Sequence, residues 1–185
     1  MRFTKYGRYL ANNMAGNIDI LIIDDEESKS ELLKDSLLMA IENYNKLRPD
    51  KELVHAVTEI STVEGALLNL DNKPYQLVML DYDLDHPRIN GETLVKIIRS
   101  GKNYQSLEDD LQGMLKTEIN KSTYICGCSK IWCMEGSPEM SSRYKNNNTI
   151  NEAINMDFNY LANVGYGYVV RKLEKVIHEL ADAVF

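Results

Sequence analysis

The sequence predicts an α/β fold, a doubly wound five-stranded parallel sheet in a three-layer sandwich. Three observations lead there. First, Leu77, Val78, Met79 and Leu80 run straight into Asp81, Asp83 and Asp85, after the turn formers Asn72, Lys73 and Pro74. A short apolar run bounded in this way reads as a strand buried on both faces. Second, Ile18 to Ile23, broken only by Asp19, ends on another acidic step, Asp24-Asp25-Glu26-Glu27. Third, strand and helix patterns alternate five times along the chain, which calls for right-handed crossovers between parallel strands.

The elements follow in order. Residues 1 to 17 read as an N-terminal extension and loop, with Asn12, Asn13, Gly16 and Asn17 near its end. After the first strand, Leu32, Leu33, Leu37, Leu38 and Ile41 recur at helical spacing, so a helix spans about Ser28 to Leu47. Glu26, Glu27 and Glu31 suit its positive end, and Arg48-Pro49-Asp50 stops it. Leu53 to Val57 reads as the second strand and Thr62 to Leu70 as the second helix; Gln76 to Leu80 is the third strand. Gly91 to Arg99 is a short helix that buries Leu94, Ile97 and Ile98.

From Tyr104 to Asn120 the chain is polar and acidic, with a weak helical pattern in Leu107, Leu111 and Leu115. Thr123 to Cys128 is the fourth strand. Lys130 to Asn148 is loop-like, with Gly136, Pro138 and three consecutive asparagines. Thr149-Ile150-Asn151-Glu152 has the form of a capping box. It predicts a helix through about Asn163 that ends at Gly165. Tyr166 to Val170 is then the fifth strand and Leu173 to Val184 the last helix. Domain limits follow: residues 18–185 form one domain, with insertions at about 101–122 and 130–150.

Bulk properties exclude several classes. The net charge of −7 argues against a nucleic-acid-binding face, which needs clustered Lys and Arg. No apolar run approaches a membrane span. The basic start, Met1 to Arg8, has no apolar stretch behind it, so secretion is not expected. Cys126, Cys128 and Cys133 are odd in number and closely spaced, which suits a reduced cytoplasm better than disulfides. Zinc ligation is the weaker reading for them, because Cys126 and Cys128 alternate within a strand and read as core.

In a doubly wound sheet the first and third strands are neighbours, and ligands bind beyond the carboxyl ends of strands. Asp24, Asp25 and Asp81 would then share one pocket. Three carboxylates there repel one another unless a hard divalent cation lies between them. Mg²⁺ suits the site, since it takes few protein ligands and keeps positions for water and phosphate oxygens. A carboxylate beside Mg²⁺ can also attack a phosphoryl group. The plainer reading of Asp24-Asp25 is a helix cap, and of Asp85 a turn residue.

At these residues the sequence resembles the receiver domains of two-component response regulators, a flavodoxin-like fold. Ile20 to Glu26 resembles the family's acidic pair, and Leu77 to Leu84 its phosphoacceptor strand. Asn90-Gly91-Glu92-Thr93-Leu94 resembles the turn that follows, and Gly165 to Lys172 the strand carrying an essential lysine. The match is in order and spacing over residues 18 to 100 and patchy beyond. The resemblance implies that Asp81 is the phosphoacceptor, that Asp25 binds Mg²⁺ directly and Asp24 directly or through water, and that Asp83 gives its backbone carbonyl to the metal. It places Ser129, or on a stricter alignment Cys128, as the residue after strand four. Lys172 or, counted from the switch aromatic Tyr168, Arg171 takes the lysine position. Leu173 stands where the family has proline.

The implied function is a stand-alone phosphorelay switch in the cytoplasm. Its phosphoryl would come from a histidine kinase or phosphotransfer protein, and its output would be contact with a downstream protein or a second copy of itself. Two alternatives compete. A pseudo-receiver would keep the fold and use the additions between Gly101 and Thr123, and between Ser129 and Lys172, for binding. An Mg²⁺-dependent phosphohydrolase or nuclease would use Asp81-Tyr82-Asp83, which resembles the motif of haloacid-dehalogenase phosphatases. Glu26 or Glu27 followed by Asp-x-Asp likewise resembles a topoisomerase-primase site.

Overall fold

The computed structural model describes residues 16–101, 114–133, 140–146 and 150–185. Their elements are β1 (Asn17–Ile23), α1 (Glu27–Leu47), β2 (Val54–Ile60), α2 (Val63–Asn72), β3 (Leu77–Leu80), α3 (Gly91–Ser100) and β4 (Tyr124–Gly127). A 3-10 turn (Lys130–Trp132) follows, then α4 (Ser142–Asn146), β5 (Glu152–Ala153), α5 (Phe158–Val164) and α6 (Gly167–Val184). Among the described residues the five strands form one sheet in the order β2-β1-β3-β4-β5, every pairing parallel. The order reverses at β1, so the crevice beyond the ends of β1 and β3 is the natural binding position.

The period of two along each strand sends alternate side chains to opposite faces. Ile18, Ile20, Ile22, Leu77, Met79, Cys126 and Cys128 pack with Leu33, Leu37 and Ile41 of α1 and Leu173, Val176 and Ile177 of α6. Leu21, Ile23, Val78, Leu80 and Ile125 pack with α2, α3, Trp132 and Tyr144 on the other side. Three layers result, as the alternation of strand and helix along the chain predicts.

The fifth strand is not where the sequence pattern places it. Tyr166 to Val170 begins helix α6, and β5 is the two-residue Glu152–Ala153, paired with Cys126 and Gly127. Tyr168 and Val169 belong to a longer series, with Leu173, Val176, Ile177, Leu180 and Ala181 all buried along α6. Read together these follow a helical period, which outweighs the short β-like run. The capping-box helix fails for a related reason. Instead of folding back to cap a helix at residue 149, the Glu152 carboxylate accepts from Lys175 Nζ at 2.7 Å and from Ala153 N at 3.1 Å. The helix that follows is the shorter α5, capped by Asp157, whose side chain accepts from Tyr160 N.

Residues 1–15, Leu107, Leu111, Gly136, Pro138 and Thr149, which carried the readings for the extension, the weak helix, the loop and the capping box, lie outside the described residues. No helix among the described residues is long and apolar enough to cross a membrane.

Candidate functional site

Asp24 follows β1 directly and Asp81 follows β3 directly, and the two strands pair in register, Ile23 beside Leu80. Asp81 N–H donates to the Ile23 carbonyl at 2.9 Å, which extends the ladder by one residue and fixes the two acids side by side. Carboxylate oxygens of Asp24, Asp25 and Asp81 lie within 4.8 Å of one another. Asp24 and Asp81 are each only 2% exposed, whereas Asp25 is exposed.

Burial dominates the electrostatics of Asp24 and Asp81. It pushes Asp24 up to about 7; the Asp81 and Asp25 charges add to the rise, and the Glu26 N–H and Lys29 oppose it. Burial likewise pushes Asp81 up to about 6, with Lys29 and the Tyr82 backbone N–H drawing it back. Asp24 Oδ1 accepts from Glu26 N–H at 2.9 Å, but its Oδ2 is buried with no hydrogen-bond partner. An orphaned buried carboxylate oxygen costs several kcal/mol if ionised and uncompensated. Oxygen donors alone, a clustered negative charge and one unsatisfied inward oxygen fit a hard divalent cation such as Mg²⁺.

Other proposed site residues are placed less uniformly. Asp83 is exposed; its backbone N–H donates to Asp81 Oδ2 at 3.2 Å and its carboxylate is outside the trio. The β3–β4 register pairs Leu80 with Gly127, which sets Cys128 level with Asp81 and Ser129 one residue beyond. Cys128 lies in the core with its thiol 3.4 Å from the Cys126 carbonyl, and burial, the Cys126 side chain and the nearby acids all push the thiol upward. Ser129 is buried, and its hydroxyl accepts from Ile131 N–H at 3.3 Å as the cap of the 3-10 turn. The three cysteines are buried and unpaired.

Lys172 is not at a strand end. It lies on α6, and its ammonium is 3.4 Å from Glu152 Oε1. Arg171 is on the same helix and exposed. Both assignments followed from taking Tyr166 to Val170 as a strand, and both fall with it. Tyr168 is likewise a core residue of α6, edge-on to Tyr160 at 5.5 Å, with its hydroxyl accepting from Asn155 N–H. Ile154, Asn155, Met156 and Asp157, which follow β5, include no lysine.

One cation of the pocket escaped the sequence reading. Lys29, in the first turn of α1, pairs with Glu26 Oε2 at 2.7 Å, and its charge acts on both Asp24 and Asp81. Its spacing, four residues after Asp25 at the start of a helix, was a signal available in the sequence.

The loop after Asp81 is braced from the opposite side. Trp132 Nε1–H donates to the Leu80 carbonyl at 3.2 Å. Gly91, at the start of α3, donates to the Tyr82 carbonyl at 2.7 Å. A Cβ on Gly91 would come within 2.3 Å of the Asp81 carbonyl oxygen, so this approach needs glycine.

The sequence matches no protein-family model. It matches no curated protein either. Solved structures do match. A CheY-like response regulator receiver domain from Methylobacillus flagellatus is 14% identical, with a TM-score of 0.51 over 88% of this chain and 98% of that one. A putative response regulator from Chloroflexus aurantiacus is 15% identical, with a TM-score of 0.52 over 91% and 98%. The receiver domain of NtrX from Brucella abortus is 16% identical, with a TM-score of 0.51 over 89% and 98%. At such low identity the likeness is one of fold. This chain has the fold of a response-regulator receiver domain.

Proposed function

We propose that this chain is a phosphorelay receiver in which Asp81 takes a phosphoryl group in the presence of Mg²⁺. The observation that carries the reading is the clustered trio Asp24, Asp25 and Asp81, two of them buried, with its unpartnered Asp24 oxygen. It lies at the switch point of a sheet whose strand order is that of the receiver fold. Asp24, Asp25 and Asp81 would hold the ion, with Asp83 offering its backbone carbonyl. Bound there, Mg²⁺ would neutralise the trio and the incoming phosphoryl oxygens.

The chain's own part in the chemistry is to hold Asp81 ionised, aimed and dry. A carboxylate oxygen of Asp81 forms a bond to phosphorus while the P–N bond of a phosphohistidine breaks, and the departing nitrogen takes up a proton. Ser129 would supply the hydroxyl that follows the phosphoryl group from strand four. Donors would be a histidine kinase or phosphotransfer protein. The response would be a changed contact with a downstream protein or a second copy, in the cytoplasm. The segments at about 101–122 and 130–150 are additions to the receiver plan that would shape that contact.

Intact-mass measurement after incubation with phosphoramidate and Mg²⁺ tests the reading. One added phosphoryl group, absent in Asp81→Asn and with chelator, is the expected result. An adduct that persists in Asp81→Asn would overturn it. A specific observation favours a second reading, the pseudo-receiver: Ile154 to Asp157, directly after β5, include no lysine, and Lys172 pairs with Glu152. A fully folded wild-type protein that takes up no phosphoryl group would decide for it.

A further inference from the structure

We propose that Lys29, from the first turn of α1, is the cation that holds the phosphoryl oxygens at Asp81. This inference rests on the phosphoacceptor reading above and names a residue for that site. Three carboxylates balance a divalent cation with one negative charge to spare, and a phosphoryl group adds more. A second positive group is therefore required next to Asp81. The residues that close β5 supply none. Lys172 and Lys175 both reach the same Glu152 carboxylate, at 3.4 and 2.7 Å, and Lys130 pairs with Asp157 at 3.2 Å.

Lys29 comes instead from α1, the helix that follows Asp24 and Asp25. Two contacts in series link it to the acidic pair. Asp24 Oδ1 accepts from Glu26 N–H at 2.9 Å, and Glu26 Oε2 meets Lys29 Nζ at 2.7 Å. The Lys29 side chain is 24% exposed, against 45% for Glu26, so Lys29 is the more buried of the pair. Its charge acts on Asp24 and on Asp81, the two buried acids. Glu26 holds it by a half-exposed ion pair, worth about 1 kcal/mol or less. A phosphoryl oxygen at Asp81 offers a charge-assisted hydrogen bond of greater strength, so the ammonium would leave Glu26 for it. Lys29 would thus do from α1 what a strand-five lysine does in the receivers this chain resembles.

Beryllofluoride, a stable mimic of the phosphoryl group, and Mg²⁺ alone separate the roles. In Lys29→Gln, affinity for Mg²⁺ alone should be kept or tightened, because a competing positive charge is gone. Affinity for beryllofluoride in saturating Mg²⁺ should fall about tenfold to a hundredfold, the loss of one charge-assisted hydrogen bond. Lys29→Arg should recover most of it. Undiminished beryllofluoride affinity in Lys29→Gln would overturn the proposal. So would equal weakening of both ligands, which marks a merely structural residue, or failure of Lys29→Arg to bind better than Lys29→Gln. Wild-type protein that binds no beryllofluoride removes the phosphoacceptor reading itself. A wild type that binds with an unaffected Lys29→Gln removes only the lysine.

Discussion

The indole N–H of Trp132 donates to the carbonyl of Leu80, so a residue from the loop after β4 anchors the peptide that leads into Asp81. The Trp132 ring is fully buried, edge-on to Tyr82 at 5.1 Å and to Tyr144 at 4.7 Å. It covers Gly127, the last residue of β4. A segment with few regular elements thereby sets the position of the candidate phosphoacceptor.

Gly127 should tolerate no side chain while Trp132 is in place. A Cβ there would lie 2.5 Å from Trp132 Cγ, with backbone of a central strand on one side and a packed ring on the other. Gly127→Ala should cost about 1–3 kcal/mol by overpacking. Combined with Trp132→Leu, which vacates the contact, the two costs should be less than additive by on the order of 1 kcal/mol. Denaturant unfolding of the two single variants and the double variant measures this. Strict additivity would mean that Gly127 and Trp132 do not share the constraint.

Asn120 should be the residue on which the described part of the 101–122 segment depends. Its side chain accepts from Tyr75 N–H at 2.7 Å and donates to the Leu70 and Lys73 carbonyls at 2.6 and 2.9 Å, all at the end of α2. Replacement by Ala leaves these groups unpaired in a buried place, at a cost of about 2–3 kcal/mol. The lost stability should be accompanied by faster hydrogen exchange at the Tyr75 amide. Unchanged exchange there would contradict the latch.

How far the sequence disclosed this arrangement depends on how local each signal was. Asp24-Asp25 and Asp81 were legible because they directly follow the apolar runs of two strands, and strand neighbours in a doubly wound sheet follow from topology. Lys172 was misplaced because Tyr168, Val169 and Val170 satisfy a strand pattern over three residues and a helix pattern only when Leu173 and Val176 are counted with them. Strand β5 was not legible at all. Two residues give no period, and Glu152 enters the sheet with its charge met by lysines twenty and twenty-three residues away in sequence. Trp132 and Asn120 gave no signal for the same reason, since their partners are far along the chain and only packing brings them together.

Glu152 should stabilise the fold through charge. Burial alone would raise its carboxyl, but Lys175, the Ala153 N–H and Lys172 overcome that and hold it below the ordinary glutamate range. A depressed carboxyl stabilises the native state above its unfolded value of about 4.5, and that contribution is lost as pH falls through the native value. Glu152→Gln should therefore lower stability at pH 7 by on the order of 1 kcal/mol, given the half-exposed Lys175. The deficit should shrink as the pH is lowered below 4.5. A deficit constant from pH 7 to pH 3 would assign the loss to packing.

Asp24 and Asp81 should behave in the opposite sense, and metal should reverse it. Asp24 and Asp81, raised to about 7 and about 6 by burial, bind protons in the native state that the unfolded chain releases near 3.8. Metal-free protein is then fully favoured by these groups only below about pH 4. It should lose stability as pH climbs to about 7, with no further loss from them above that. Asp24→Asn keeps an oxygen for the Glu26 N–H and removes the unpartnered charge. In chelator at pH 8 it should therefore melt higher than wild type, by about 2–4 °C per kcal/mol relieved in a domain of this size. Mg²⁺ should bring the wild type back up, by about 1.4 kcal/mol when free ion is at ten times its Kd. It should do little for Asp24→Asn, which has surrendered a ligand. The two melting curves would then cross as Mg²⁺ is added, the variant ahead in chelator and the wild type ahead in metal. An Asp24→Asn protein that melts below wild type in chelator would show that the Asp24 charge is already satisfied by the fold. The unpartnered oxygen would then no longer argue for a cation.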